Sequence, residues 1–345
     1  MTEAREGQAA VRLDDGRVVI LGGAVTGHCA MACAGFPATA SVEIYDPNTG
    51  KFSPYGSLVS PRAYGAALLL DDGRVLVSGG NDNYGYRSVN TIEIYDPAQG
   101  TSVAVNQPAD MQELPFSPTV VLLADGRVLI AGGSYNRLDD KPSNATLIFD
   151  PASGGFRDGP LMAEPRQGAT ATLLDDGRVL IMGGGDYRAE LIDPSHPLSQ
   201  PTLLVTPDNP RTSTLLSDGR VLVAGGGSYD SGTGLTTPEV PEVFDPRTGR
   251  FTPVGPMSTS RSRSAAIKLE DGRVLLFGGV DSKGAAIETV EAFDPESGTF
   301  QVIATGFPKI SDFSVTLLDD GEILIAGGGS GAWNGMTAAT LFLRP

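Results

Sequence analysis

The residues able to do chemistry are sparse, and their spacing narrows what that chemistry is. The stretch His28-Cys29-Ala30-Met31-Ala32-Cys33 gathers soft donors within six positions. Zinc takes four ligands at wider spacings, so a local disulfide or free thiols is the reading, and no metal site is assigned. Glu190-x-x-Asp193-x-x-His196 has the look of a metal triplet, but Asp193 is a turn residue that recurs along the chain. Asp82, Asp139, Asp140, Asp186, Asp230 and Asp281 supply hard oxygen donors without the spacing of a calcium loop. With only His28 and His196 present, a Ser-His-Asp triad finds no support. A carboxylate working with a tyrosine as acid and base is chemically sound, but the spacing singles out no pair.

Two residue types stand out instead. Arginine recurs eleven residues before a repeated turn glycine, as Arg5, Arg62, Arg166 and Arg261, with Arg211 nearby but out of register. Such a set suits either a ring of guanidinium groups reading carboxylate or sulfate, or a set of ties between repeats. Tyr64, Tyr84, Tyr86, Tyr135, Tyr187 and Tyr229, with the single tryptophan Trp333, are aromatics with polar handles, able to stack on a sugar or anchor a partner. Packing within their own loops is the competing role.

Composition excludes several classes. The 345 residues carry a net charge of −16, with a sequence pI near 4.5. Nucleic-acid binding needs a basic footprint, which is missing. No apolar run approaches membrane-spanning length, and MTEAREGQAA lacks the apolar core of a signal peptide. Localisation stays open between the cytoplasm, if Met1 is native, and secretion, if a signal has been removed.

The elements that must position these residues come from a repeat. DDGRVVILGG, DDGRVLVSGG, ADGRVLIAGG, DDGRVLIMGG, SDGRVLVAGG, EDGRVLLFGG and DDGEILIAGG mark seven copies. Each Asp-Gly pair between apolar runs closes a hairpin joining strands a and b. A second signature, as in SVEIYDPNTGKF and TVEAFDPESGTF, places an Asp-Pro turn between strands c and d. Stretches such as IMGGGD end strands and open no helix, so they are not phosphate loops. Four strands per copy bury their faces only against neighbours, which requires radial closure. The expectation is an all-β, seven-bladed β-propeller spanning 1–345 as one domain. MTEAREGQAAVRL aligns with MSTSRSRSAAIKL, so the chain begins at a d–a junction. The seventh blade is then expected to have three strands, with closure by face packing. Either the native chain continues past Pro345, or it closes without a shared strand.

The turn glycines followed by Gly-Gly after strand b, the aromatic in strand c (Tyr45, Tyr95, Phe149, Phe244, Phe293) and the arginine before strand a resemble the kelch-repeat family, including the propeller of galactose-oxidase-like proteins. Kelch blades usually carry a tryptophan near strand d; Phe52, Phe156, Phe251 and Phe300 stand there instead. Some members are copper radical oxidases with a Tyr-His pair and further His and Tyr ligands. Two histidines and no Tyr-His dipeptide argue against that activity, and no cofactor is expected.

In such a blade the short a–b and c–d turns share one face. The irregular b–c and d–a loops share the other, where function sits on a rigid scaffold. The expectation is a monomeric module binding a carbohydrate, an acidic small molecule or a protein partner on that face. Its ligand-binding residues would be Arg62, Tyr64, Tyr84, Tyr86, Tyr135, Arg166, Tyr187, Tyr229, Arg261 and Trp333. A sugar-acting lyase or isomerase, and an assembly scaffold, are the alternatives. The arginines of the DGR turns fall on the scaffold face and read as structural.

Overall fold

The hairpin and turn signals map directly onto sheets. The structure is a computed structural model describing residues 1–25, 37–82, 89, 91–106, 118–134, 141–185, 188–205, 210–226, 228–230, 234–236, 240–329 and 340–343, with backbone alone at 210–211, 228–230, 234–236 and 340–343. Those residues form antiparallel units in a–b–c–d order. The second unit, for example, runs Ala66–Leu69, Val75–Ser78, Ile92–Asp96 and Thr101–Val105. Six units have four strands. The first two touch at their outer edges through one parallel bridge, Thr101 to Ser57. The seventh unit has three strands among the described residues: Ser314–Leu317, Ile323–Ala326 and Thr340–Leu343.

Each strand a lies beside the strand a of the next unit, and that of the seventh meets that of the first. The ring is therefore closed. Strand b is apolar on both sides because both of its faces are covered; Val75, Leu76 and Val77 are all buried. The core is divided into slabs between units. One slab packs Val18, Ile20 and Tyr45 of the first unit against Leu318, Leu324 and Ala326 of the seventh. Among the described residues, the first and seventh units meet by face packing.

The aromatic that replaces the usual tryptophan has a direct partner. Tyr45–Phe52, Phe149–Phe156, Phe244–Phe251 and Phe293–Phe300 are cross-strand pairs with ring centroids 4.8–4.9 Å apart. Tilted aromatic pairs at this distance add stability beyond the area they bury. On the scaffold face each DGR arginine folds back on its own turn, as in Arg74 Nε to Asp72 Oδ2 at 2.8 Å. Several also reach the c–d turn of the next unit: Arg74 to Pro151 O (3.1 Å) and Arg178 to Pro246 O (3.2 Å). Their structural role holds.

Candidate functional site

The d–a crossover places its arginine between two units. The Arg166 backbone bonds to the third unit, donating to Ser143 O (2.9 Å) and accepting from Gly133 N (2.6 Å). Its side chain enters the fourth unit, donating to Gly183 O, Arg188 O and the Glu190 carboxylate at 2.9, 2.6 and 2.8 Å. Arg62 spans the first and second units in the same way, with Gly79 O, Thr91 O and Glu93 as acceptors. Arg261 spans the fifth and sixth, with Gly278 O, Thr289 O and Glu291. Arg5 does so across the ring seam: its carbonyl accepts from Gly328 N in the seventh unit, and its guanidinium bonds Gly22 O and Glu43 in the first. All four side chains are at most 2% exposed. Burial pulls the Arg62 and Arg261 guanidiniums below their ordinary range, and the paired Glu93 and Glu291 oppose it. The glutamates also accept from crossover amides, as with Ala163 N to Glu190 (2.6 Å). Arg62, Arg166 and Arg261 were expected to present a ligand-facing ring. The structure instead places them inside the propeller, committed to carbonyls and glutamates.

Of the aromatics, Tyr84, Tyr86, Tyr135, Tyr187 and Trp333 lie outside the described residues, as do His28, Cys29 and Cys33. Tyr229 falls in the backbone of a small hairpin, Ser228–Asp230 with Gly234–Thr236, in the fifth b–c loop. Tyr64 is described and is 41% exposed. Its hydroxyl donates to Glu6 Oε1 at 3.1 Å. His196 bonds Asp193 in a c–d turn (2.8 Å), away from the loop face. Asp281 caps a local turn, accepting from the Lys283 and Ala285 amides at 2.8 Å. Among the described residues, no cluster of three or more His, Cys, Asp or Glu is arranged to hold a metal ion.

Tyr64 lies two residues after Arg62 in its crossover, and its φ is +57°. The equivalent residue, nine positions before the turn glycine, shares this backbone in four further units, whereas the fifth unit has Pro210 there, whose ring fixes φ negative. It is Gly7 in the first (φ +61°), Gly168 in the fourth (+65°), Arg263 in the sixth (+54°) and Asp312 in the seventh (+57°). Three units thus hold a non-glycine residue in the left-handed region, where a Cβ is disfavoured. The backbone explains the shared conformation: Gly7 N donates to Asp312 O (3.0 Å), and Tyr64 N donates to Gly7 O (2.7 Å), linking the seventh, first and second units.

These residues form one electrostatic group. Burial, above all, pushes the Glu6 carboxyl above the usual range; the nearby Asp312 charge adds to this, and the Tyr64 hydroxyl opposes it. Burial also raises the Tyr64 phenol well above its ordinary value, with Asp312 and Glu6 adding to the rise and Arg263 opposing it. Tyr64 therefore stays a protonated donor at physiological pH. Asp312 Oδ2 accepts from Ser311 Oγ at 3.0 Å. Arg263 is exposed. Glu6, Asp312 and Arg263 carry no repeated residue type: the arginine of the crossover recurs, whereas the position two residues further on varies.

The Kelch motif family matches residues 62–106 and 271–306, within the second and sixth units. The closed ring of antiparallel units is a β-propeller, and two of its units carry the Kelch motif. Over 141 residues, 38% of the chain, it is 26% identical to the aldehyde oxidase GLOX of Vitis pseudoreticulata. That match spans 25% of the length of the relative. Among solved structures, a fungal alcohol oxidase of the AA5 family, in complex with copper, superposes with a TM-score of 0.75. The superposition covers 99% of this chain and 74% of that one at 17% identity, a likeness of fold.

Proposed function

We propose that the protein is a binding propeller that takes a hydroxylated small ligand of the carbohydrate class at the centre of its b–c/d–a face. The observation that carries this reading is the Glu6–Tyr64 hydrogen bond beside Asp312 and Arg263, on an arc of four consecutive units. Carboxylates accept hydroxyl hydrogens, a guanidinium donates in a fork, and a half-exposed tyrosine ring offers a flat apolar face. A strongly acidic ligand fits less well. The arginines that would have read it are buried against glutamates, and the exposed Arg263 stands in a group with two carboxylates, Glu6 and Asp312.

The oxidase activity in the names of the two relatives does not transfer with the fold. Copper favours imidazole among its protein ligands. The chain has two histidines, and His196 is bonded into the Asp193 turn. The crossovers offer carboxylates, a phenol and a guanidinium instead. Those residues do not fit a copper centre, and no oxidase step is assigned.

The test is a thermal-shift and calorimetric titration with glucose, glucosamine and glucuronate. Saturable binding of glucose or glucosamine, weakened in Glu6→Gln, is the expected result. Binding of glucuronate alone, or an unchanged isotherm in Glu6→Gln, would overturn the reading.

A further inference from the structure

We infer that the left-handed position nine residues before the turn glycine, held in the first, second, fourth, sixth and seventh units, is the ligand-reading element of this propeller, and that it reads a donor-rich ligand, an amino sugar ahead of a neutral one. The inference rests on the site proposed above. Glycine satisfies everything the ring asks of this position. Gly7 makes both of the backbone bonds that link the seventh, first and second units. Gly168 holds the same conformation in the fourth. The side chains of Tyr64, Arg263 and Asp312 therefore occupy a strained position that the fold does not require them to fill. Strain of this kind concentrates where side chains must meet a ligand.

Their distribution is uneven. The sixth, seventh, first and second units are consecutive, and they supply Arg263, Asp312, Glu6 and Tyr64. The fourth unit carries Gly168, where an added Cβ would meet nothing within 4 Å. Among the described residues, the functional groups thus lie on one side of the ring, and the fourth unit has open space at this position. The residue following the position adds a second, independent sign. Gln8, only 8% exposed, has its Oε1 buried with no partner among the described residues, and so does Ser264 Oγ. Gln8 follows Gly7 and Ser264 follows Arg263. Buried polar atoms are normally satisfied, and an orphan beside a cluster of this kind asks for an external partner.

The balance of groups sets the ligand class. Glu6, Asp312 and Gln8 Oε1 are acceptors, whereas Arg263 is the cationic donor at the left-handed position among the described residues, and the nearby Lys309 is paired with Glu288 at 2.9 Å. A ligand that presents several hydroxyls and an ammonium group answers that set, and a uronate does not.

The experiment uses Arg263→Gly, Asp312→Gly and Gly168→Asn in the full chain, read by melting temperature and by titration with glucosamine, glucose and glucuronate. Asparagine tolerates the left-handed region and fills the open side. Asp312→Gly should lose at least tenfold in glucosamine affinity, with a melting temperature unchanged or raised by about 1–3 °C. Arg263→Gly should weaken glucose and glucosamine several-fold with the same thermal signature. Gly168→Asn should weaken both sugars at near-native stability. If the glycine variants melt lower and bind as the parent does, the position is structural and the inference fails while the binding site stands. If the parent protein binds none of the three sugars, both fail.

Discussion

The Arg166 guanidinium lies 2.8 Å from the Glu190 carboxylate, with both side chains wholly buried, while the Arg166 backbone is bonded to the preceding unit. One residue therefore fixes the angle between two blades. In six of the seven units the two positions change together; the fifth keeps Glu242 but has Asp208 at the arginine position. Arginine eleven before the turn glycine coincides with glutamate three before the c–d turn aspartate in the first, second, fourth and sixth units. In the third and seventh units both positions are non-ionic, Pro115 with Leu147 and Ile310 with Leu341. That substitution of a charge pair by an apolar pair is what a buried structural tie permits and a ligand contact does not.

Breaking the pair one-sidedly should be severe. Arg166→Ala leaves the enclosed Glu190 side chain without its guanidinium partner, and is expected to destabilise by about 3–5 kcal/mol in denaturant melts. The double variant Arg166→Ile/Glu190→Leu copies the seventh unit and should recover most of that loss. A double variant no more stable than Arg166→Ala would show that the pair is not exchangeable.

How much of this was legible follows from what repeats encode. The seven Asp-Gly turns and the Gly-Gly endings announce the ring, because each is a backbone requirement that recurs in every blade. The three-stranded seventh unit was equally readable from the alignment of residues 1–13 with 257–269. The role of Arg62, Arg166 and Arg261 needed one more comparison, between the arginine position and the glutamate position. The site was harder to see. Tyr64 attracted notice as an aromatic, but Glu6, Arg263 and Asp312 share no residue type. What unites them is a φ angle and a place in the register, and neither appears in a search for motifs.

The ring seam should be the most sensitive junction, because no covalent crossover joins the seventh unit to the first. There Gln8 Nε2 donates to Ala326 O at 2.8 Å and Arg5 O accepts from Gly328 N at 2.9 Å. A methyl on Gly327 would lie 2.5 Å from Gln8 Nε2 and 2.7 Å from Arg5 O. At Gly321, which shares the left-handed backbone, it would meet nothing. Gly327→Ala is therefore expected to cost about 1–3 kcal/mol more than Gly321→Ala. Faster hydrogen exchange in Ser314–Leu317 should accompany it. Equal losses at the two positions would place the seam elsewhere.

The bridge between the first two units depends on a second glycine. Gly56 has φ +96°, and a methyl there would overlap the Gly100 carbonyl. Gly56→Ala is expected to part Ser57 from Thr101 and to destabilise by about 1–3 kcal/mol. Amide exchange at Thr101 should rise while that at Val103, inside the antiparallel c–d ladder, stays slow. Unchanged protection at Thr101 would refute the role assigned to this bridge.

Glu6 should give the propeller a pH dependence of the opposite sign to that of its DGR turns. In the turns, hydrogen bonds from Arg74 and Arg127 hold Asp72 and Asp125 below the ordinary range, so their contribution is lost as pH falls through those lowered values. Glu6 is held above the ordinary range, chiefly by burial and then by Asp312. The native state thus keeps the Glu6 proton more tightly than the unfolded chain does. Stability from this residue is full below the unfolded glutamate value and declines as pH rises through the raised one. Glu6→Gln removes that decline. The variant should match the parent's melting temperature at acid pH and exceed it increasingly toward neutrality, by an amount that levels off once Glu6 is ionised in the parent. A Glu6→Gln curve running parallel to the parent's from acid to neutral pH would show that the carboxyl is not held up by its surroundings.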